Sequence, residues 1–138
     1  MSQSYAKKLG IGFALIDKRR TGHNQAEVAN LIGDLKDKHA IIIDDMIDTA
    51  GTICNAAQTA IDQGAQSVIA MATHPVLSGP AIERLENSAL SKVIVCDTIH
   101  LNKEKQFNKL EVISVQKVFA EAIQHIVEGT SLSSMFKI

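Results

Sequence analysis

The sequence predicts an α/β fold: a doubly wound, mostly parallel sheet of about five strands flanked by helices. Three observations predict it. Short β-branched runs alternate with helix-length segments along the chain. The runs are nearly continuous in apolar residues rather than alternating, as strands covered on both faces are. The composition is that of a globular domain, with 46% of the 138 residues hydrophobic and 21% charged, and a chain of this size can bury a sizeable core. No repeat, low-complexity stretch or internal boundary breaks the pattern, so residues 1–138 read as one domain.

Residues 11–17 (IGFALID) read as the first buried strand. The polar stretch 19–27 (RRTGHNQAE) after it reads as a surface loop at the C-terminal end of a parallel strand, a common place for function. Residues 40–44 (AIIID) form a stronger strand. The helix over 51–63 puts Ile53, Ala57, Ala60 and Ile61 on one face, and Gly64 is a plausible stop. Strands follow at 67–73 (SVIAMAT) and 92–97 (KVIVCD), with a weaker one at 110–115. The helix over 80–87 carries proline in its first turn. The helix over 115–128 lines up Val118, Phe119, Ala122, Ile123 and Ile126 on one stripe, with Gly129 after it.

A net charge of −1 leaves no broad basic field, so neither nucleic acid nor a membrane surface is expected as a partner, and any anion site must be local. Cys54 and Cys96 sit in apolar stretches without CxxC spacing and read as buried, reduced thiols. With no signal-peptide pattern and no apolar stretch near the roughly 20 residues of a membrane span, a cytoplasmic location is expected.

The most informative segment is IIIDDMIDTAGT, residues 41–52. A hydrophobic strand runs into two acids, then a third, then a small-residue turn, then a helix. Thr49, Ala50, Gly51 and Thr52 lack bulk, so their backbone N–H groups can close around a phosphate, and the helix N-terminus behind them adds partial positive charge. Asp44 and Asp45 at the strand end can accept charge-assisted hydrogen bonds from a pair of ribose hydroxyls. An Asp or Thr in such a turn often only caps the helix. Two adjacent acids exceed that need, because burying the second unpaired would be costly.

DD, two residues, then DTAGT resembles the phosphoribosyl pyrophosphate-binding loop of type I phosphoribosyltransferases. The form DDMIDTAGT resembles more closely the ribose-phosphate pyrophosphokinases, as do ALIDKRR at 14–20, ATHPVLSGPA at 72–81 and SLSSMF at 131–136. The resemblance runs from about residue 6 to the end. It implies that Lys18 and Arg20 are catalytic and stabilise charge on the transferring pyrophosphoryl group. It implies that Asp44 and Asp45 bind the ribose and that Asp48, Thr49, Ala50, Gly51 and Thr52 hold the 5′-phosphate. The implied substrates are ribose 5-phosphate and ATP with Mg²⁺, the products phosphoribosyl pyrophosphate and AMP, and the assembly a homo-oligomer. From the residues alone, Lys18, Arg19 and Arg20 are also a solvated basic turn. The family often reads KRRPRPN where this chain has KRRTGHN at 18–24, so Thr21, Gly22 and His23 replace a cation and two prolines.

Family enzymes are longer, with two similar α/β domains, the other supplying much of the ATP site and a metal-binding histidine. The chain therefore reads as their C-terminal part, beginning after an acidic, glycine-rich turn, with residues 4–9 (SYAKKL) as the rest of a first helix. No metal ligands are expected in it. Alone it is expected to bind ribose phosphate without turnover, and to self-associate or rearrange where a sheet edge is left open. Ser131 and Ser133 are candidates for a regulatory site, as this end is in some family members, or for a helix cap. His74 reads as a substrate contact or a structural turn histidine, the second being favoured. Other readings are another type I phosphoribosyltransferase, a non-catalytic regulatory or assembly subunit, and a phosphoacceptor receiver domain. The KRR loop and SLSSMF disfavour the first. The last wants its phosphorylated aspartate on a later strand.

Overall fold

A computed structural model describes residues 2–19 and 28–136. Its centre is a four-stranded parallel sheet of β3 (His39–Ile47), β4 (Ser67–Pro75), β5 (Lys92–Cys96) and β6 (Leu110–Ile113), side by side in chain order. α2 (Gly51–Asp62) connects β3 to β4, and α3 (Ala81–Glu86) connects β4 to β5. The register sets Ile43 beside Met71 and Asp44 beside Ala72, and on β5 Ile94 beside Met71. The parallel α/β architecture is thus the expected one, and the strands starting at 67 and 92 begin where the apolar runs begin.

The strand count differs. The expected first strand at 11–17 is displaced to β1 (Leu15–Arg19), which pairs antiparallel with β2 (Val28–Ile32) in a separate two-stranded sheet. β1 is therefore no parallel neighbour of β3, and the polar stretch 19–27 links two antiparallel strands. Pairing two β-prone runs across a short connection is the cheap local solution, and an apolar run does not encode which sheet it joins. α1 (Ser2–Leu9) precedes the hairpin.

The core lies on one face of the parallel sheet. Ile53, Ala57 and Ala60 of α2 and Ala81 and Leu85 of α3 pack over Val68, Ala70, Ala72, Val93 and Val95. Alanine at 57, 60, 70 and 72 lets helix and sheet approach closely, and Ala57, Ala70, Ala81 and Leu85 are fully buried. The expected helix face is the one that packs on the core, with Ile53, Ala57 and Ala60 buried and Ile61 partly buried at its margin. Gly64, at φ +90°, turns the chain after α2. α4 (Gln116–Glu128) ends at Gly129 in the left-handed conformation. Its apolar stripe lies at the surface, with Val118 58%, Phe119 60%, Ile123 60% and Ile126 66% exposed. Cys54 and Cys96 are unpaired and half-buried rather than buried. Among the described residues no helix is long and apolar enough to cross a membrane.

Candidate functional site

The site forms where β3 meets α2. β3 runs three residues past the predicted strand end, so Asp44 and Asp45 stand near its C-terminal end, both exposed. The ladder to β4 pairs Asp44 with Ala72 and Met46 with His74 and skips Asp45, so the strand departs from its regular pattern at the second acid. Asp44 Oδ1 accepts the Asp45 N–H at 2.9 Å, and among the described residues neither carboxylate is in an ion pair with a lysine or arginine. Acceptor capacity therefore remains for donors from outside, such as hydroxyl groups.

The loop beyond them is shaped by one backbone feature. Ala50 has φ 62° and ψ 0°, the left-handed region, which costs a non-glycine residue roughly 1–2 kcal/mol. It is 5% exposed. That turn starts α2 at Gly51 with no side-chain cap and no acidic residue in the first turn. The Cys54 N–H reaches the Ala50 carbonyl at 3.1 Å. The N–H groups before it belong to the first turn, which lacks intrahelical partners, so an anion is the natural complement to this end of the helix. Thr49 and Thr52 are exposed beside it and carry hydroxyls.

Neighbouring segments hold the loop from behind. The Ser78 hydroxyl donates to the Asp48 carboxylate. The Ser78 N–H reaches the Asp48 carbonyl at 3.1 Å, and the Leu77 N–H reaches the Ile47 carbonyl at 3.0 Å. Arg84 Nη1 donates to the Thr49 carbonyl at 2.9 Å, and Lys105 Nζ to the Val76 carbonyl at 2.7 Å. Burial pushes up the Cys54 thiol on the inner side of α2, opposed by weaker effects of Ser88, Arg84 and Lys109. His74, next to Met46 in the register, bonds through Nδ1 to the Thr98 hydroxyl at 3.0 Å. Thr98 in turn donates to the Thr73 carbonyl at 2.9 Å. This is the turn-histidine arrangement, tying the ends of β4 and β5 together.

A family model described as the phosphoribosyl synthetase-associated domain matches residues 20–137. The chain belongs to this family. It is 54% identical over 132 residues to a ribose-phosphate pyrophosphokinase of Caldanaerobacter subterraneus subsp. tengcongensis, covering 96% of this chain and 42% of that protein. It is 51% identical over 135 residues to that of Aquifex aeolicus, covering 98% and 43%. The crystal structure of phosphoribosylpyrophosphate synthetase from Mycobacterium smegmatis superimposes with a TM-score of 0.84 at 38% identity, over 92% of this chain and 41% of that one. The chain thus spans well under half the length of the relatives it matches.

For this phosphoribosyl synthetase-associated domain, the structure brings Asp44, Asp45, Asp48, Thr49, Ala50, Gly51 and Thr52 together on one strand–turn–helix unit. Lys18 lies in β1, its backbone opposite Ala29 of β2, in the hairpin that shares no ladder with the parallel sheet. Arg20 and the altered segment Thr21 to His23 lie outside the described residues. Ser131 caps a short 3-10 turn, its hydroxyl oxygen accepting the Ser133 N–H at 3.2 Å, which is the capping alternative. Among the described residues no group of three or more His, Cys, Asp or Glu is arranged to hold a metal. Sequence reasoning missed Ser78 and Arg84, which reach the loop from 30 and 35 positions away. The one signal in that direction was the stretch ATHPVLSGPA, which contains Ser78 and ends three residues before Arg84.

Proposed function

We propose that this chain is the ribose-5-phosphate-binding part of a ribose-phosphate pyrophosphokinase, a transferase of nucleotide biosynthesis. The observation that carries the reading is the uncapped start of α2, reached through left-handed Ala50, immediately behind two exposed carboxylates. The N–H groups of the loop and the hydroxyls of Thr49 and Thr52 take the 5′-phosphate. Asp44 and Asp45 accept from the ribose hydroxyls, which fixes the sugar by both ends. Family membership and the names of the relatives support the same substrate.

The reaction on this reading is attack of the anomeric hydroxyl oxygen on the β-phosphorus of ATP. The new C1–O–P linkage forms as the bond between the β-phosphorus and the bridging oxygen breaks. AMP leaves, and the hydroxyl proton passes to solvent. Lys18 and Arg20 place fixed positive charge against the moving pyrophosphoryl group. Mg²⁺ would neutralise phosphate charge, but the described residues make no ligand cluster for it, so no step is assigned to a metal site here. We further propose a cytoplasmic location and self-association. β3 has a free edge among the described residues, a feature that invites pairing, and light scattering over a concentration series checks this.

Calorimetric titration with ribose 5-phosphate tests the proposal. The wild-type chain is expected to bind, and Asp44→Asn/Asp45→Asn to lose affinity on the order of a hundredfold, the scale of two hydrogen bonds to charged groups. A folded wild-type chain that does not bind, or a double variant that binds equally well, contradicts it.

A further inference from the structure

Arg84 stands on α3, not on the loop, and its guanidinium donates to the Thr49 carbonyl at 2.9 Å. A Cβ built on Gly51 would lie 3.5 Å from the same Nη1, so the guanidinium also sits against the first residue of α2. The peptide linking Thr49 to Ala50 is trans, since the described residues contain no cis bond. In a trans peptide the C=O and the N–H point in opposite directions. Fixing the Thr49 carbonyl toward α3 therefore aims the Ala50 N–H away from α3. The same peptide leads into Ala50 at φ 62°, a conformation that alanine leaves readily unless held. Rotation of this peptide would relax Ala50 and turn the Thr49 carbonyl, with its partial negative charge, toward an incoming anion.

We propose that Arg84 is a positioning residue of the phosphate site. Its guanidinium locks the Thr49–Ala50 peptide in the orientation that presents the Ala50 N–H to the substrate phosphate and keeps the Thr49 carbonyl out of the site. It touches no substrate. Its positive charge lies behind the helix start and adds to the field felt by the anion. Ser78 anchors the loop one residue earlier through Asp48, so one brace holds the peptide itself and the other the residue before it. The inference rests on the phosphate-site reading above and adds to it the residue that keeps the loop receptive.

The test compares wild type, Arg84→Ala and Arg84→Lys by calorimetry with ribose 5-phosphate and with inorganic phosphate, alongside thermal melting. Arg84→Ala is expected to bind both ligands about tenfold more weakly, the scale of one hydrogen bond involving a charged group, with little change in melting midpoint. Arg84→Lys keeps a charge that can approach the carbonyl and is expected to recover part of the loss. Millimolar guanidinium added to Arg84→Ala is expected to restore affinity, which a purely structural role would not allow. Unchanged affinity in Arg84→Ala, with wild type binding normally, overturns this inference alone. A wild-type chain that binds neither ligand overturns the phosphate-site reading and this inference with it. If Arg84→Ala melts at much lower temperature and guanidinium recovers nothing, the residue is structural and the inference is overturned.

Discussion

The two faces of the parallel sheet are built from equally apolar strands and end in different states. On one face, α2 and α3 bury Val68, Ala70, Val93 and Val95 to 1% exposure or less. On the other, Ile41 remains 52% and Ile113 46% exposed, and the stripe of α4 is exposed to a similar degree. The difference follows from connectivity. The strands run in chain order, so the two helical crossovers fall on the same side and contact each other. The loop at residues 48–52 belongs to the covered side. Its braces, Ser78 and Arg84, come from the segment joining β4 to α3 and from α3 itself, both held by that core. The site is thus attached to the part of the molecule that supplies its own packing.

Substitution on the two sides should separate them most strongly. Leu85→Ala removes a fully buried side chain beneath α3 and is expected to cost about 2–5 kcal/mol in urea unfolding. Phe119→Ala, on the α4 stripe at 60% exposure, should stay within about 0.5 kcal/mol. Equal costs would mean that the α4 stripe is covered in solution, and the contrast would break.

Ser78→Ala sharpens the comparison inside the covered side. It leaves the Asp48 carboxylate without its hydroxyl donor, while the two backbone bonds from Leu77 and Ser78 remain. Weakening of ribose 5-phosphate binding by roughly five- to tenfold is expected in the same calorimetric assay, the worth of about one hydrogen bond. An unaltered affinity would show that the backbone bonds alone fix the loop.

The smallest expected effect concerns the open side. The Ser114 hydroxyl, then the Val115 N–H at 2.8 Å, hold the Asp97 carboxyl below its ordinary value of 3.8. Because the folded value is the lower one, this contribution is present above pH 3.8 and is lost as pH falls through the folded value. A slight acid-induced loosening where β5 meets the start of α4 should follow, seen by amide exchange at Val115, and Asp97→Asn should remove it. Protection of Val115 that does not change with acidification in wild type, or that changes equally in Asp97→Asn, would contradict this.

The loop was legible in the sequence because its chemistry is contiguous. A strand, two acids, a small-residue turn and a helix occupy residues 41–63, and each local preference points to the same structure. Helix faces were legible for the same reason, as Ile53, Ala57 and Ala60 recur at helical spacing. The braces were not legible, since a serine after a strand and an arginine in a short helix carry no mark of a partner some thirty residues earlier. The first strand failed differently. IGFALID is apolar enough for a core strand, yet Leu15 is 49% exposed in a hairpin, because pairing partner and sheet are tertiary choices that an apolar run does not contain. The α4 stripe likewise predicted a helix correctly but not what would cover it.

The central claim is that residues 48–52 form a preset cradle for the phosphate of ribose 5-phosphate. The most direct measurement is an amide NMR titration of the isotope-labelled chain with that ligand. The amides of Ala50, Gly51 and Thr52 are expected to shift first and furthest, and those of Asp44 and Asp45 to follow only when the ribose is attached rather than with inorganic phosphate. Shifts confined to other segments, or none at saturating ligand in a folded chain, would contradict it.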